Sequence, residues 1–493
     1  MTDSQMGKSK NIQPDDWNLV IENLPLSQLV KIYSELSGDA EEFLFTQLLM
    51  LFSRNLGHNV AKPSISVPNV DARPNLYAML VAMPQIFHKS SIIRKEKELR
   101  DRIVERVKGT DKIQEISLQF EGTFEGLIDE QKRYEKIDYN NDEFSRIIKL
   151  DASKNNSKSN TIQILIDGYY GNAYTRSLRD KKDSTISRVD VPAGRYITFF
   201  GAMHENEFTP DLYHNGLMRR CIIIHLKPKD AKPSNAAFNP GKIESLKSFE
   251  SALVDKIAGA RKELIFRSYH EELIEDGFNV DGTPNFNIVY KEGKKPEFSY
   301  EDAAVKYLSE IHIRATERAI AEESQLSPDE NVEMIMRIAI NLMLWDFVRN
   351  NSSPLVVTLK HVKEAEDFLT KIAKNYKEDV AELEDRDLSV KVRRLIEYVE
   401  KHCTVEQPYI REGDVVNGLK ARRWGDQFEK SVRQAIRENK VKRFTQKYAK
   451  TTGYILTPIK FLGGTIEQLE KQKKQYAEKG KEFDYYEPSG RTF

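Results

Sequence analysis

Cysteine is nearly missing from this chain: Cys221 and Cys403 are the only two in 493 residues. Their spacing matches no metal-ligand pattern and no disulfide framework, which points to a reducing, cytoplasmic setting. Net charge is missing as well, because 76 basic side chains face 76 acidic ones. No global cationic field draws the chain to nucleic acid, so any such affinity must come from local patches. No apolar run reaches the length a bilayer-spanning helix needs, and no membrane partner is expected. The opening residues, MTDSQMGKSKNIQPDD, lack the apolar centre of a secretory signal. No repeat of fixed period is visible. Glycine is missing from one short stretch where its absence matters: residues 82–91 read AMPQIFHKSS.

What is present is a charge-rich composition, 39% hydrophobic and 31% charged, of a length suited to two to four domains. Residues 1–70 are expected to form a helical N-terminal region. In DWNLVIENLPLSQLVKIYSELSGDAEEFLFTQLLMLFSRNLG, apolar residues recur at steps of three and four, and Gly57 is a plausible stop. Over 71–230 short apolar strands (NLYAMLVAM, IQEISLQF, GRYITFFGAM, RRCIIIHLKP) alternate with helical segments. A weaker strand, KIDYN, lies among them. This alternation predicts an α/β fold with a parallel, three-layer core. Residues 231–384 read as mostly helical, with a hairpin around FNVDGTPNFNIVYKEGKKPEFS and a strongly apolar helix at NVEMIMRIAINLMLWDFV. Residues 385–460 read as three helices followed by a β-ribbon with a Thr-Thr-Gly turn, the order of a winged helix. Residues 461–493 form a charged tail, at best a frayed helix.

The glycine-free stretch follows the first strand of the α/β region and ends in Lys89-Ser90, where a phosphate-binding loop would hand over to its helix. In such a loop glycines permit positive φ and let backbone N–H groups converge on phosphates. The lysine reaches the terminal phosphates, and the hydroxyl holds Mg²⁺. Here His88 stands in place of the glycine before the lysine and Met83 in place of the first glycine, with Pro84 after it. An ordinary strand-to-helix turn is the competing reading. Farther on, Asp142-Glu143 in NNDEF are suited to ordering Mg²⁺ and polarising water, or simply to the first turn of a helix. His204 and Asn206 follow the strand GRYITFFGAM, where a side chain contacting a γ-phosphate would stand. A plain loop at a strand end is the alternative. Arg219-Arg220 precede the next strand, in position to reach a neighbouring subunit's nucleotide or to pair on the surface.

This ordered set resembles the AAA+ ATPases. Within them it is most similar to minichromosome-maintenance-type helicases and to the primase-helicase proteins of plasmids and viruses, with a degenerate Walker A loop. The resemblance spans roughly residues 40–460 and rests on the order of NLYAMLVAMPQIFHKSS, EGTFEGLIDEQ, NNDEF, LIDGYYG, FFGAMHEN, NGLMRR and NVEMIMRIAINLML. It implies a three-layer AAA+ core at 71–230 and a helical lid at 231–384, with ATP and Mg²⁺ as cofactors. It further implies phosphate and metal binding by Lys89, Ser90 and Ser91, with Asp142 ordering the metal and Glu143 activating water. Asn206 or His204 would be the first sensor, Arg219 or Arg220 an arginine acting in trans, and Arg337 a second sensor. That family also lacks the glycine before the lysine, so His88 fits; Met83 and Ile86 depart from it, and a β-branched residue resists positive φ.

The expected nucleic-acid contacts fall in two places. The stretch YTRSLRDKKDSTISRVDVP carries Arg176, Arg179, Lys181, Lys182 and Arg188, and by the same resemblance would be a hairpin projecting into a ring's pore to grip a DNA backbone. A solvated charged loop is the alternative. Residues 386–458 carry about 17 Lys and Arg against about 9 Asp and Glu, an excess near +8. There Lys430, Arg433 and Arg437 share one face of the third helix. Arg422 and Arg423 precede it, and Lys442, Arg443, Lys447 and Lys450 decorate the ribbon. Trp424 is read as core. The reading favoured by these features is an ATP-dependent DNA helicase, translocase or origin-remodelling ATPase, a homo-hexameric ring in the replication of a mobile element. The alternative is a catalytically silent, AAA+-like DNA-binding or scaffold protein. A metabolic α/β enzyme with a regulatory winged helix ranks last, for want of a catalytic His, Ser or Cys constellation.

Overall fold

In the computed structural model, residues 16–60, 72–83, 86–108, 115–119, 124–144, 161–179, 186–207, 216–231, 234–278, 284–292, 294–321, 330–424, 426–448 and 451–486 are described. For some of these, including 176–179, 186–189, 206, 269–278, 284–292, 374–387 and 423, the description covers the backbone alone. The chain divides into two units, Met1–Lys377 and Glu378–Phe493.

The first unit opens with helices α1 (Asp16–Asn23), α2 (Leu26–Ser37) and α3 (Glu41–Asn55). Gly38 ends α2 in the left-handed conformation (φ 82°), with Ser234 Oγ only 2.6 Å from where a Cβ would sit. Every residue of α3 from Phe43 to Asn55 is buried. The helix stops two residues before Gly57; a Cβ at Gly57 would meet Pro74 at 2.6 Å, so glycine serves close packing there.

Then follow β1 (Tyr77–Ala82), α4 (Lys89–Val107), β2 (Glu115–Gln119), α5 (Phe124–Arg133), β3 (Lys136–Asn141), α6 (Thr161–Tyr170), β4 (Tyr174–Arg179), β5 (Ile186–Val191), β6 (Tyr196–His204) and β7 (Cys221–Leu226). Five of these strands make one parallel sheet in the order β2-β3-β6-β1-β7. β4 and β5 form a separate antiparallel hairpin. The helix expected over DEFSRIIKLDASKN lies mostly outside the described residues. Next come α7 (Pro240–Arg267), the antiparallel pair β8 (Tyr269–Phe278) and β9 (Pro284–Glu292), and β10 (Ser299–Tyr300). They are followed by α8 (Asp302–Ala321), α9 (Val332–Arg349), β11 (Val356–Val357) and α10 (Leu359–His402), whose residues divide between the two units.

The stretches read as N-terminal region, core and lid, 1–70, 71–230 and 231–384, fall within the first unit apart from residues 378–384. α3 packs against α4, α7 and α9, and residues of α1–α4 and α7–α10 share one hydrophobic core with β1, β6 and β7. Phe52 of α3 stacks on Trp345 of α9 at 5.5 Å, and Phe45 meets Phe368 of α10 at 4.4 Å. Each such buried ring contributes roughly 1.5–3 kcal/mol, enough to bind the three regions together.

The second unit holds the end of α10, β12 (Ile410–Arg411), α11 (Glu412–Gly418), α12 (Asp426–Arg437), β13 (Val441–Tyr448), β14 (Thr451–Pro458), α13 (Leu462–Glu478) and β15 (Phe483–Tyr486). Its sheet runs β12-β14-β13-β15, all antiparallel. Thr451, Thr452 and Gly453 are strand residues paired with Tyr448, Lys447 and Gln446, so the Thr-Thr-Gly belongs to β14 and is not the turn expected there. The expected charged tail is structured. β15 adds to the sheet, Leu469 and Phe483 are buried, and Tyr476 stacks on Phe483 at 5.3 Å. Charge density hid an amphipathic helix with its apolar residues on one side.

Candidate functional site

β1 is buried along its whole length, with β6 on one side and β7 on the other. Past Ala82, Met83 and Ile86 are exposed, while Phe87 turns inward against Phe43 at 6.0 Å. None of the loop's described residues, Met83, Ile86, Phe87 and His88, has a positive φ, as expected of a loop without glycine. His88 occupies the N-cap of α4 but makes no capping hydrogen bond, so its side chain leaves the first N–H groups of the helix unanswered. Ser90 and Ser91 are exposed on that first turn, and Arg94 donates to Ser91 Oγ at 3.2 Å.

Lys89 is turned inward and is only 4% exposed. Its Nζ donates to the carbonyl of Ala82 at 2.9 Å and lies 3.1 Å from His204 Nδ1. Strand register makes this contact, because Ala82 pairs with His204 where β1 and β6 end together. Burial holds the Lys89 ammonium below the ordinary lysine range, with the Glu207 carboxylate acting in the opposite sense. Asn206 sits in the turn Glu205–Glu207; its side chain lies outside the described part.

β3 ends at the same edge. Its last residue, Asn141, is level with Gly201 of β6, and Asp142 and Glu143 follow directly, both exposed. Glu143 N–H donates to Asn141 Oδ1 at 2.9 Å. Lys89, Ser90, Asp142, Glu143 and His204 thus all lie at the carboxyl edge of the parallel sheet, where open α/β sheets hold ligands. Among the described residues no group of three or more His, Cys, Asp or Glu could hold a metal. The hydroxyl of Ser90 and the carboxylate of Asp142 are nevertheless hard oxygen donors of the kind Mg²⁺ accepts alongside phosphates and waters.

The arginines are elsewhere. Arg219 and Arg220 precede β7 and so lie at the amino edge of the sheet, where Cys221 pairs with Tyr77. Arg220 donates through Nε to Tyr170 Oη at 3.1 Å and lies over that ring, and it also bonds Gly216 O. Arg219 is exposed, and its carbonyl accepts from Asn331 at 3.5 Å. Arg337 does not approach the Lys89 loop. It is fully buried, 3.8 Å over the Tyr169 ring, and donates to Asn75 Oδ1, the Asn75 carbonyl (2.9 Å) and Glu333 (2.9 and 3.0 Å). Asn75 precedes β1, so Arg337, expected as a second sensor, ties α9 to the end of the sheet opposite the loop.

Sequence reasoning also missed a buried ionic cluster on β3. Asp138 meets Arg100 Nε at 2.7 Å, Arg54 Nε at 3.7 Å and Lys136 Nζ at 3.8 Å, and Arg54 pairs with Glu96. Burial pushes the Glu96 carboxyl up more than Arg54 and Arg100 draw it down. Lys136, Asp138 and Asn140 made KIDYN look like a weak strand, yet all three are buried. The signal was there in part: polar residues every second position, and a lone arginine in the apolar α3.

Of the expected DNA contacts, Lys181 and Lys182 lie outside the described residues. Arg176, Arg179 and Arg188 are on β4 and β5, with their side chains outside the description. In the second unit Arg422, Lys430, Arg433, Arg437 and Lys447 are exposed and Lys442 half-buried. Arg423 is described by its backbone alone, and Lys450 lies outside. Trp424 packs against the unit's core, as read. The Arg443 guanidinium pairs with Glu412 at 2.8 Å and Glu429 at 3.1 Å and lies over Tyr454 at 4.2 Å, within the unit.

These features define a mixed α/β chain built on a five-stranded parallel sheet, followed by a smaller unit of helices and an antiparallel sheet. No family model and no curated protein matches it. Among solved structures it is similar to a full-length MCM homolog from Methanopyrus kandleri, at 11% identity and a TM-score of 0.35. The alignment covers 74% of this chain and 63% of that one, so the chain spans less than two thirds of its neighbour. A likeness of this size assigns neither family nor activity. Among the described residues no helix is long and apolar enough to cross a membrane.

Proposed function

We propose that the chain is an ATP-dependent DNA translocase or origin-remodelling ATPase, working as a homo-oligomeric ring, of the helicase type that the order of its motifs resembles. The observation that carries this reading is the 3.1 Å approach of Lys89 Nζ to His204 Nδ1 at the joint ends of β1 and β6. Two residues singled out for phosphate contact, 115 positions apart, are neighbours. The uncapped start of α4 offers N–H groups to an anion beside them. In this reading Lys89 leaves the Ala82 carbonyl for a phosphate, Ser90 and Asp142 hold Mg²⁺, and Glu143 takes the proton of the attacking water. Exposed Lys430, Arg433 and Arg437 on α12 supply DNA backbone contacts.

A second reading has an observation of its own. The loop's described residues take no positive φ and Lys89 is already bonded within the chain, which favours a silent ATPase-like scaffold that binds DNA without hydrolysis. ATP turnover measured with and without DNA separates the two. The motor requires DNA-stimulated hydrolysis that disappears in Lys89→Ala; no ATP binding and no turnover in the wild type leaves the scaffold.

A further inference from the structure

A cleft of about 750 Å³ opens at the amino edge of the parallel sheet, away from the Lys89 loop. β1 separates the two edges by six residues, roughly 20 Å of strand. The cleft's size is within the range of small-molecule sites. Its walls come from the end of α3, the run Ala72–Asn75 before β1, the start of β3, and the turn Pro192–Tyr196 that joins β5 to β6. That turn is firmly set. Gly194 N–H donates to the Gly171 carbonyl at 2.9 Å, and both glycines hold left-handed backbone (φ 86° and 62°).

The lining is mainly cationic. Arg73, Lys136, Arg195 and Lys295 face Glu135 as the single carboxylate among the lining residues, and Glu135 is matched by Lys295 at 3.9 Å. Arg73 is held over the Tyr196 ring at 4.3 Å. Lys136 is 5% exposed, 3.2 Å from His58 Nδ1 and 3.8 Å from Asp138. Arg195 has no ion-pair partner among the described residues.

Two buried hydroxyls complete the site. Ser53 on α3 and Thr198 on β6 line the cleft, both are buried, and neither side chain has a hydrogen-bond partner among the described residues. A buried hydroxyl left without a partner costs about 1–3 kcal/mol. Unanswered O–H donors in a lining where lysine and arginine outnumber carboxylates call for a ligand with several acceptor oxygens and negative charge. A phosphate has that chemistry, and a guanidinium can meet it with two parallel hydrogen bonds. We propose that this cleft binds a phosphate-bearing small molecule, up to a mononucleotide in size, at a site separate from the α4 edge.

Inorganic pyrophosphate, titrated calorimetrically into the full chain, is the probe. Wild type, Arg195→Ala, Thr198→Val and Lys89→Ala are compared. Arg195 is partly exposed and without an ion-pair partner, so Arg195→Ala should melt within a degree or two of wild type, which separates lost binding from lost folding. The expected result is a site that persists in Lys89→Ala and weakens about tenfold or more in Arg195→Ala, the loss of one charge-assisted contact, with a smaller weakening in Thr198→Val. Binding that vanishes in Lys89→Ala and is untouched in Arg195→Ala would overturn the proposal by moving the anion to the α4 edge. No pyrophosphate binding by the wild type would overturn it as well.

Discussion

Lys89 Nζ lies 3.1 Å from His204 Nδ1, a contact between the first residue of α4 and the last residue of β6. The parallel pairing that sets Ala82 beside His204 makes them neighbours, and the loop folds Lys89 back onto the end of its own strand. The ammonium therefore sits in a place chosen by the sheet and unfavourable to its charge.

Replacing that ammonium should stabilise the chain. Because the folded pKa of Lys89 is lowered, mainly by burial, the unfolded chain holds the proton more tightly. The cost is therefore fully present below the folded pKa and fades as pH rises toward the ordinary lysine value. Lys89→Met at pH 7 is expected to raise the Tm by about 2 °C while removing any ATP turnover. A lower Tm would mean that the bonds to Ala82 and His204 outweigh the burial.

Asp138 is the carboxylate on which Arg100, Arg54 and Lys136 converge. Asp138→Asn removes a buried carboxylate from beside those cations, and is expected to cost about 3–5 kcal/mol in urea unfolding. The exposed Asp142→Asn, four residues on, should stay within about 0.5 kcal/mol of wild type. Equal midpoints for the two variants would refute the buried cluster as a structural element.

Asp346 accepts from His361 at 3.0 Å and from Arg349 at 3.0 Å. Burial alone would push its carboxyl up, but His361 and Arg349 outweigh it and the net position is below the ordinary carboxylate range. Its contribution is thus present above the unfolded value, about pH 3.9, and is lost as pH falls through the lower folded value. Urea midpoints between pH 2 and 6 should fall less steeply in Asp346→Asn than in wild type. Parallel acid limbs would contradict the assignment.

The second unit's cations should separate by role. Lys430, Arg433 and Arg437 are exposed along α12, so replacing all three with Ala should lower the slope of log K for DNA against log salt by about 3. Arg443→Ala is expected to destabilise the unit by about 1–3 kcal/mol, through Glu412 and Glu429, with little change in that salt slope. A slope that drops in Arg443→Ala as it does in the triple variant would restore Arg443 to the DNA-facing set.

The sequence by itself determined the elements whose burial shows in one segment. NLYAMLVAM, GRYITFFGAM and RRCIIIHLKP are short runs rich in apolar residues and became the adjacent strands β1, β6 and β7. NVEMIMRIAINLMLWDFV became the buried α9. The absence of glycine from AMPQIFHKSS likewise foreshadowed a loop without positive φ at its described residues. What only the tertiary structure decided is which segments share an edge. Arg337 looked like a nucleotide-facing arginine because it stands on the right helix, yet α9 docks it at the end of β1 opposite Lys89. KIDYN looked too polar for a central strand because its ion-pair partners, Arg54 and Arg100, lie 84 and 38 residues upstream of Asp138 on two different helices. The tail looked like solvated charge because Phe483 and Leu469 have no core until β15 pairs with β13. In each case the local pattern reports whether a residue can be buried, while long-range register decides against what.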